Sequence, residues 1–243
     1  MDYIKNLVEY YDELFPVSEE QFVFYQSLLK EYSKPLKFLG IGCGTGILEN
    51  RLAKELSDVT GIETIKELLE SATRKYRTQL MSVRYFKMST IEMVRFLGKG
   101  FYNVISCLND RIIFIHDKVL IKKFFFYCKQ LLSDSGLLIL QLLNYDYFIK
   151  ANEFNLPKLS SIRVELISKL EKDDDMNYFL SRSVQTGNGK ILPVYKRTPV
   201  YPISKLEIEE FAREAGFTSI NFYSDYSLNP VNENSKSLVV MLK

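Results

Sequence analysis

Gly40-Ile41-Gly42-Cys43-Gly44-Thr45-Gly46 is the stretch on which the reading of this chain turns. The apolar run 36–39 leads into it and a helical pattern over 47–56 follows. An apolar strand, a glycine-dense turn and a helix start together make a loop suited to a nucleotide-type cofactor. Glycine permits positive φ and lets a ligand approach without a Cβ in the way. The helix start adds free N–H groups and a partial positive charge. Two common loops are excluded by register. A dinucleotide fingerprint, G-x-G-x-x-G, needs a third glycine at 47 or 45, where Ile47 and Thr45 stand. A P-loop needs Gly-Lys-Ser/Thr, and no such triplet follows.

Working outward, the chain alternates strands and helices. Residues 7–32 read as helical, with Ser18 as a cap and Gln21 three positions on. Strand-like runs fall at 36–41, 59–62, 83–86, 101–108 and 136–143, with helical patterns at 65–76, 90–97 and 118–132 between them. The run 101–108 is continuously apolar, as a buried parallel strand should be. This alternation predicts an α/β fold, a doubly wound, Rossmann-like sheet that is mostly parallel and seven-stranded. Cofactors in such sheets sit at the carboxyl ends of the strands, near the switch in strand order. The glycine loop, Glu63 and the turn Leu108-Asn109-Asp110 all fall at such ends.

After Asn144 the pattern changes to strand-like runs at 162–170, 177–186 and 192–201. Asp173-Asp174-Asp175 and Gly187-Asn188-Gly189 lie between them as turns. An antiparallel β insert after strand five is expected. Helix returns at 204–215, with Ser204 and Glu207 spaced as a capping box and Gly216 as the stop, and strands at 217–223 and 237–242 close the chain. One domain over 1–243 is expected: an N-terminal helical segment at 1–34, a cofactor-binding core at 35–144 and 202–243, and the insert at 145–201.

Hydrophobic residues make up 47% of the 243 residues and charged residues 26%, ordinary for a globular protein. The net charge of +2, with no basic stripe, disfavours a nucleic-acid partner. Cys43, Cys107 and Cys128 have neither zinc nor disulfide spacing, so no metal is expected. The N-terminus lacks the basic start and apolar run of a signal peptide, and no apolar run approaches membrane-spanning length. A cytoplasmic location without membrane contact is the expectation, and nothing in the sequence points to an oligomeric state.

The loop is one of several segments that carry a resemblance. Residues 39–46 resemble the first motif of class I S-adenosylmethionine-dependent methyltransferases. Thr60-Gly61-Ile62-Glu63 resembles their second strand, residues 83–90 the third strand and adenine loop, residues 102–108 the fourth strand, and residues 131–138 the turn before strand five. The resemblance covers roughly residues 10–144 and resumes at the C-terminal end. It implies S-adenosylmethionine as cofactor, held by Tyr11, Gly40, Gly42, Cys43, Gly44, Gly46, Glu63, Thr64, Ser89, Thr90, Leu108 and Asn109. Two positions depart from the pattern: Gly40 stands where an acid is usual, and Ser89 where the adenine loop often has one.

The acceptor side is less patterned. Methyl transfer from a sulfonium is an in-line displacement that needs alignment more than acid–base help. The turn Asn109-Asp110-Arg111-Ile112 lacks the Pro-Pro-aromatic motif of base amino-methylating relatives. The end of strand five, residues 141–146, and the following insert resemble the glycine and sarcosine N-methyltransferase-like group, although Leu143 replaces the arginine that grips an amino acid carboxylate there. Arg111, Arg163 and Arg182 are candidates to replace that contact. Asn144, Tyr145 and His116, the single histidine, are the candidate catalytic side chains. Transfer to a small-molecule N- or O-nucleophile is the leading expectation. A non-catalytic cofactor-binding or interaction module of the same fold, and an RNA methyltransferase, are the alternatives.

Overall fold

The computed structural model describes residues 4–55, 57–76 and 82–243. Three short helices open it: α1 (Lys5–Val8), α2 (Tyr11–Leu14) and α3 (Glu19–Glu31). The single helical pattern expected over 7–32 is therefore broken twice. Pro16 supplies the reason for the second break, because it lacks an N–H and pushes Phe15 out of helical geometry. Ser18 then restarts the helix, its hydroxyl accepting from Gln21 N at 3.1 Å.

The core alternates β1 (Lys37–Ile41), α4 (Ile47–Lys54), β2 (Asp58–Glu63), α5 (Lys66–Tyr76), β3 (Val83–Lys87), α6 (Met93–Phe96), β4 (Tyr102–Cys107), α7 (Lys118–Leu131) and β5 (Leu132–Leu143). A 3-10 turn, Arg111–Phe114, follows β4. A short helix absent from the sequence reading, α8 (Tyr145–Lys150), follows β5. The insert is a four-stranded antiparallel sheet of β6 (Leu159–Ser160), β7 (Val164–Lys172), β8 (Tyr178–Thr186) and β9 (Ile191–Val200). Helix α9 (Lys205–Glu214) and strands β10 (Ile220–Tyr223) and β11 (Ser237–Leu242) complete the chain.

The main sheet has seven strands in the order β10-β11-β5-β4-β1-β2-β3. All pairs are parallel except those of β11, which runs antiparallel to both β5 and β10. The order reverses between β1 and β4, so the loops leaving these neighbours diverge and open a crevice at their carboxyl ends. One apolar cluster, with Phe124, Phe125 and Phe211, packs α7 and α9 against one face of the sheet. A second, with Tyr25, Phe38 and Leu52, packs α3 and α4 against the other. A third joins Leu7, Tyr11 and Leu14 of the N-terminal helices to Val164, Leu166, Val184 and Val194 of the insert. That cluster seats the N-terminal segment and the insert together over the carboxyl edge.

The Asp173 turn serves the hairpin, its carboxylate accepting from Asn177 N and Nδ2 at 2.7 and 3.1 Å. Among the described residues no His, Cys, Asp or Glu group is placed to hold a metal ion, and no helix is long and apolar enough to cross a membrane.

The capping box of α9 is formed. Ser204 Oγ accepts from Glu207 N, and Glu207 accepts from Ser204 N, both at 3.2 Å. Ser204→Ala should cost about 1 kcal/mol in urea unfolding, and Ser204→Asp should retain most of that stability. An unchanged midpoint for the alanine variant would show that tertiary packing alone sets this helix start.

Candidate functional site

The glycine loop spans the crevice. Gly42, Gly44 and Gly46 have φ of +67°, +58° and +76°, values that explain why glycine recurs there. Gly42 N and Cys43 N donate to Ile62 O at 2.8 and 3.1 Å, which ties the loop to the end of β2. Each glycine also lies under a side chain: Arg111 on Gly42, Tyr11 on Gly44 and Tyr85 on Gly46.

Glu63, 2% exposed at the end of β2, organises the centre. Its Oε1 accepts from Thr64 N at 2.8 Å, Ile65 N at 3.0 Å and the Thr64 hydroxyl at 3.3 Å. Its Oε2 accepts from Gly44 N and from Arg111 Nη2, both at 3.1 Å. Burial disfavours charge on Arg111, but the Glu63 carboxylate and the Tyr11 hydroxyl overcome it and hold the guanidinium ionised. Asp110 and Arg111 therefore do not pair with each other. Asp110 instead accepts from Leu143 N at 2.6 Å. Both Asn109 and Asp110 adopt left-handed backbone, φ +55° and +59°, a conformation in which Asn and Asp are enriched.

Beside this centre lies a cavity of about 400 Å³. Ile41, Gly42, Glu63 and Thr64 form its floor, and Met88, Ser89, Thr90 and Ile91 one wall. Phe114, His116 and Tyr195 close the side nearest the insert. Ser89 faces this space with its own polar groups already engaged, its N–H and hydroxyl donating to Glu92 at 2.9 and 2.6 Å. On the other side of Gly42 a second, much smaller cavity of about 40 Å³ is lined by Tyr11, Gln21, Thr45, Glu49, Leu108 and Asn109, among others. The N-terminal segment roofs it. Asp12 bonds the Thr45 hydroxyl and, at 2.6 Å, Lys75, while Glu13 bonds Arg163.

Of the expected residues, Gly42, Glu63, Thr64, Ser89 and Thr90 line the larger cavity and Tyr11, Gly42, Cys43, Leu108 and Asn109 the smaller, while Gly40, Gly44 and Gly46 line neither. Asn144 and Tyr145 do not join them. They are 4% and 1% exposed in the packed interior behind the β4 turn, where Asn144 Nδ2 donates to Ser235 O at 2.7 Å. Burial pushes the Tyr145 phenol well above its ordinary range. His116 is exposed on the cavity rim. Of the three arginines considered for an acceptor, Arg163 is on the surface with Glu13 and Arg111 is on Glu63. Arg182 is 8% exposed, donates from Nε to Ser168 Oγ at 2.9 Å, and lines a small space with Phe114 and Tyr195.

Sequence reasoning missed Arg111 as the cover of Gly42, and it missed Glu49. An acid at the third helical position of α4 normally serves a capping box, but the cap residue is Gly46, which has no side chain to share. That mismatch was the available signal.

Residues 38–136 match the family model described as a methyltransferase domain. A Geobacillus sp. (strain WCH70) protein provisionally named a methyltransferase is 24% identical over 229 residues, 90% of each chain. The CcbJ methyltransferase from Streptomyces caelestis superposes with a TM-score of 0.79 at 16% identity, over 99% of this chain and 97% of that one. The SAM-bound amino pentose methyltransferase CalS10 from Micromonospora echinaspora superposes with a TM-score of 0.60 at 14% identity, over 92% and 89%. The fold is that of the class I, S-adenosylmethionine-dependent methyltransferases, and residues 38–136 carry the methyltransferase-domain match. The crevice fits that cofactor: a glycine cradle that any Cβ would fill, a buried acid at the end of β2, and a largely apolar cavity beside it.

Burial raises the Glu49 carboxyl to about 8, with Glu63 adding to the effect and the backbone N–H of Glu49 opposing it. Between the unfolded value near 4.5 and about 8, the folded protein keeps a proton that the unfolded chain has released. Unfolding free energy should therefore fall as pH rises across that window, by up to about 1.4 kcal/mol per unit from this group. Glu49→Gln should remove that slope, so the variant gains on the parent as pH rises from 5 to 8. Parallel stability curves for the two in urea titrations would refute the assignment.

Proposed function

We propose that this chain transfers the methyl group of S-adenosylmethionine to a small-molecule acceptor through a nitrogen or oxygen nucleophile. The observation that carries the reading is a glycine turn at 42–46 tied to the buried Glu63, beside a cavity that Gly42, Glu63 and Tyr195 of the insert line together. In this reading Glu63 accepts from the ribose hydroxyls, and Thr64, Ser89 and Thr90 line the adenine end. Gly42, Cys43, Gly44 and Gly46 bring the backbone close to the cofactor, with Leu108 and Asn109 across the crevice and Tyr11 above. Arg111 and the ribose hydroxyls draw on the same Glu63 oxygen, so the guanidinium gives way as the cofactor enters.

The cofactor supplies an activated methyl group on a sulfonium, and the protein's work is alignment and exclusion of water. Residues 145–201 serve as the acceptor cover. Phe114, Tyr195 and Arg182 stand where that cover meets the β4 turn, and they offer an acceptor two aromatic faces and a buried cation. An enclosed, narrow approach of this kind, with a net charge of +2, suits a small molecule better than a nucleic acid. The three unpaired cysteines support a reducing, cytoplasmic setting.

Titration calorimetry with S-adenosylhomocysteine should show one site per chain. Glu63→Gln should weaken binding by about 1.5–3 kcal/mol, roughly ten- to a hundredfold in Kd. A screen of amines, phenols and amino sugars should give S-adenosylhomocysteine above background with at least one of them. Absence of cofactor binding by the parent protein at millimolar ligand would end the reading, and turnover confined to RNA would replace the acceptor class.

A further inference from the structure

Glu49 is a buried carboxyl with no cation beside it. It is 4% exposed, and among the described residues no lysine or arginine pairs with it. It lines the small cavity on the Glu49 side of Gly42, where no lysine, arginine or histidine stands among the described lining residues. Leaving a carboxyl in such a place is costly unless something balances it. Its position is bound to that of Gly40. A Cβ built on Gly40 would overlap Glu49 Oε1 and lie 3.0 Å from Cδ and 3.3 Å from Cγ. Gly40 has ordinary strand geometry, paired with Gly61 on one side and Ser106 on the other. It is not in the left-handed region, so its backbone does not require glycine. The Glu49 side chain uses the freedom glycine leaves: its carboxyl occupies the volume beside β1 that a residue-40 side chain would take.

The two cavities meet at Ile41 and Gly42, which line both. A cofactor lying along the loop with its nucleoside at Glu63 sends its other end past Gly42 to the Glu49 side. That other end carries a primary ammonium and, on the same carbon, a carboxylate. The small cavity, at about 40 Å³, has room for a group of that size, and its polar lining of Gln21, Thr45 and Asn109 suits one. The Tyr11 ring and the Phe15-Pro16 bend also line it.

We propose that Glu49 binds the ammonium group of the cofactor's methionine end, supplying from α4 the carboxylate for which strand β1, with Gly40, has no side chain. The assignment rests on the cofactor reading above and adds to it the residue that selects for the amino acid portion. It also accounts for Gly40 without loss of function, because glycine at 40 is the condition for Glu49 to reach the site.

The test compares three ligands by titration calorimetry: S-adenosylhomocysteine, its deamino analogue lacking only the ammonium, and 5′-methylthioadenosine lacking the whole amino acid portion. For the parent protein, removal of the ammonium should weaken binding at least tenfold. Glu49→Gln, which keeps the shape of the protonated side chain, should weaken S-adenosylhomocysteine by a similar factor and leave methylthioadenosine within twofold. The same variant should no longer distinguish S-adenosylhomocysteine from its deamino analogue. The double variant Gly40→Asp/Glu49→Ala, which returns an acid to the strand, should recover most of the lost affinity. Unchanged binding of S-adenosylhomocysteine by Glu49→Gln, or equal loss of both ligands in a variant with native circular dichroism, overturns the assignment alone. Failure of the parent to bind either ligand overturns the cofactor reading, and this assignment falls with it.

Discussion

The site depends on the buried carboxylate of Glu63. Five donors converge on it: the N–H groups of Gly44, Thr64 and Ile65, the Thr64 hydroxyl and the Arg111 guanidinium. A carboxyl group at 2% exposure is tolerable because its oxygens are answered this fully. The same bonds join pieces of chain that strand pairing alone leaves independent. Gly44 belongs to the loop after β1, Glu63 to the end of β2, and Arg111 to the turn after β4. Through Arg111, at 3.2 Å, the Tyr11 hydroxyl is brought in as well. The crevice created by the reversal of strand order is thereby given a defined shape.

The roof over this crevice comes from two segments with little stability of their own. Helices α1 and α2 have four residues each, far below the length at which an isolated helix persists. They are helical because Leu7, Tyr11 and Leu14 are buried against the insert. Three consecutive residues of α2 then reach four different parts of the protein. Tyr11 meets Arg111, Asp12 meets Thr45 and Lys75, and Glu13 meets Arg163 of the insert. Insert and N-terminal segment are in this way interlocked, and the cofactor edge is enclosed from above rather than left as an open groove.

Gly40 and Glu49 show how a local departure from a motif can be answered at a distance. In the sequence Gly40 reads as a lost acid. In the structure the space it leaves contains a carboxyl from the next helix, so the acid has moved rather than vanished. A similar exchange occurs in the loop after β3. Ser89 has no carboxylate of its own but donates twice to Glu92, three residues on. Motif residues read one at a time count both positions as losses, although the acids lie within reach.

Much of the fold was readable from the sequence because its determinants are local. Continuous apolar strands, helical periodicity, the Ser204–Glu207 spacing and the glycine register are properties of neighbouring residues; most reappear near where the pattern put them, although the helix expected at 90–97 shrinks to Met93–Phe96 and β5 begins at Leu132, inside the turn expected at 131–138. The failures were also physical. The helical pattern over 7–32 outweighed Pro16 in a reading by periodicity, and α8 is too short to announce itself. Asn144 and Tyr145 stand at the end of β5, where acceptor contacts are expected, yet their side chains turn into the interior, because facing of a side chain is set by packing and not by position along a strand. Arg111 covers Gly42 and pairs with a residue 48 positions away. No periodicity encodes that contact, since a buried arginine takes whichever carboxylate the folded chain brings beside it. The sequence by itself determined the sheet, its order of strands and helices, and the cradle for a cofactor. Only the tertiary structure decided which charges stand around that cradle, because the balance of buried charge is settled between elements that meet only after the chain has folded.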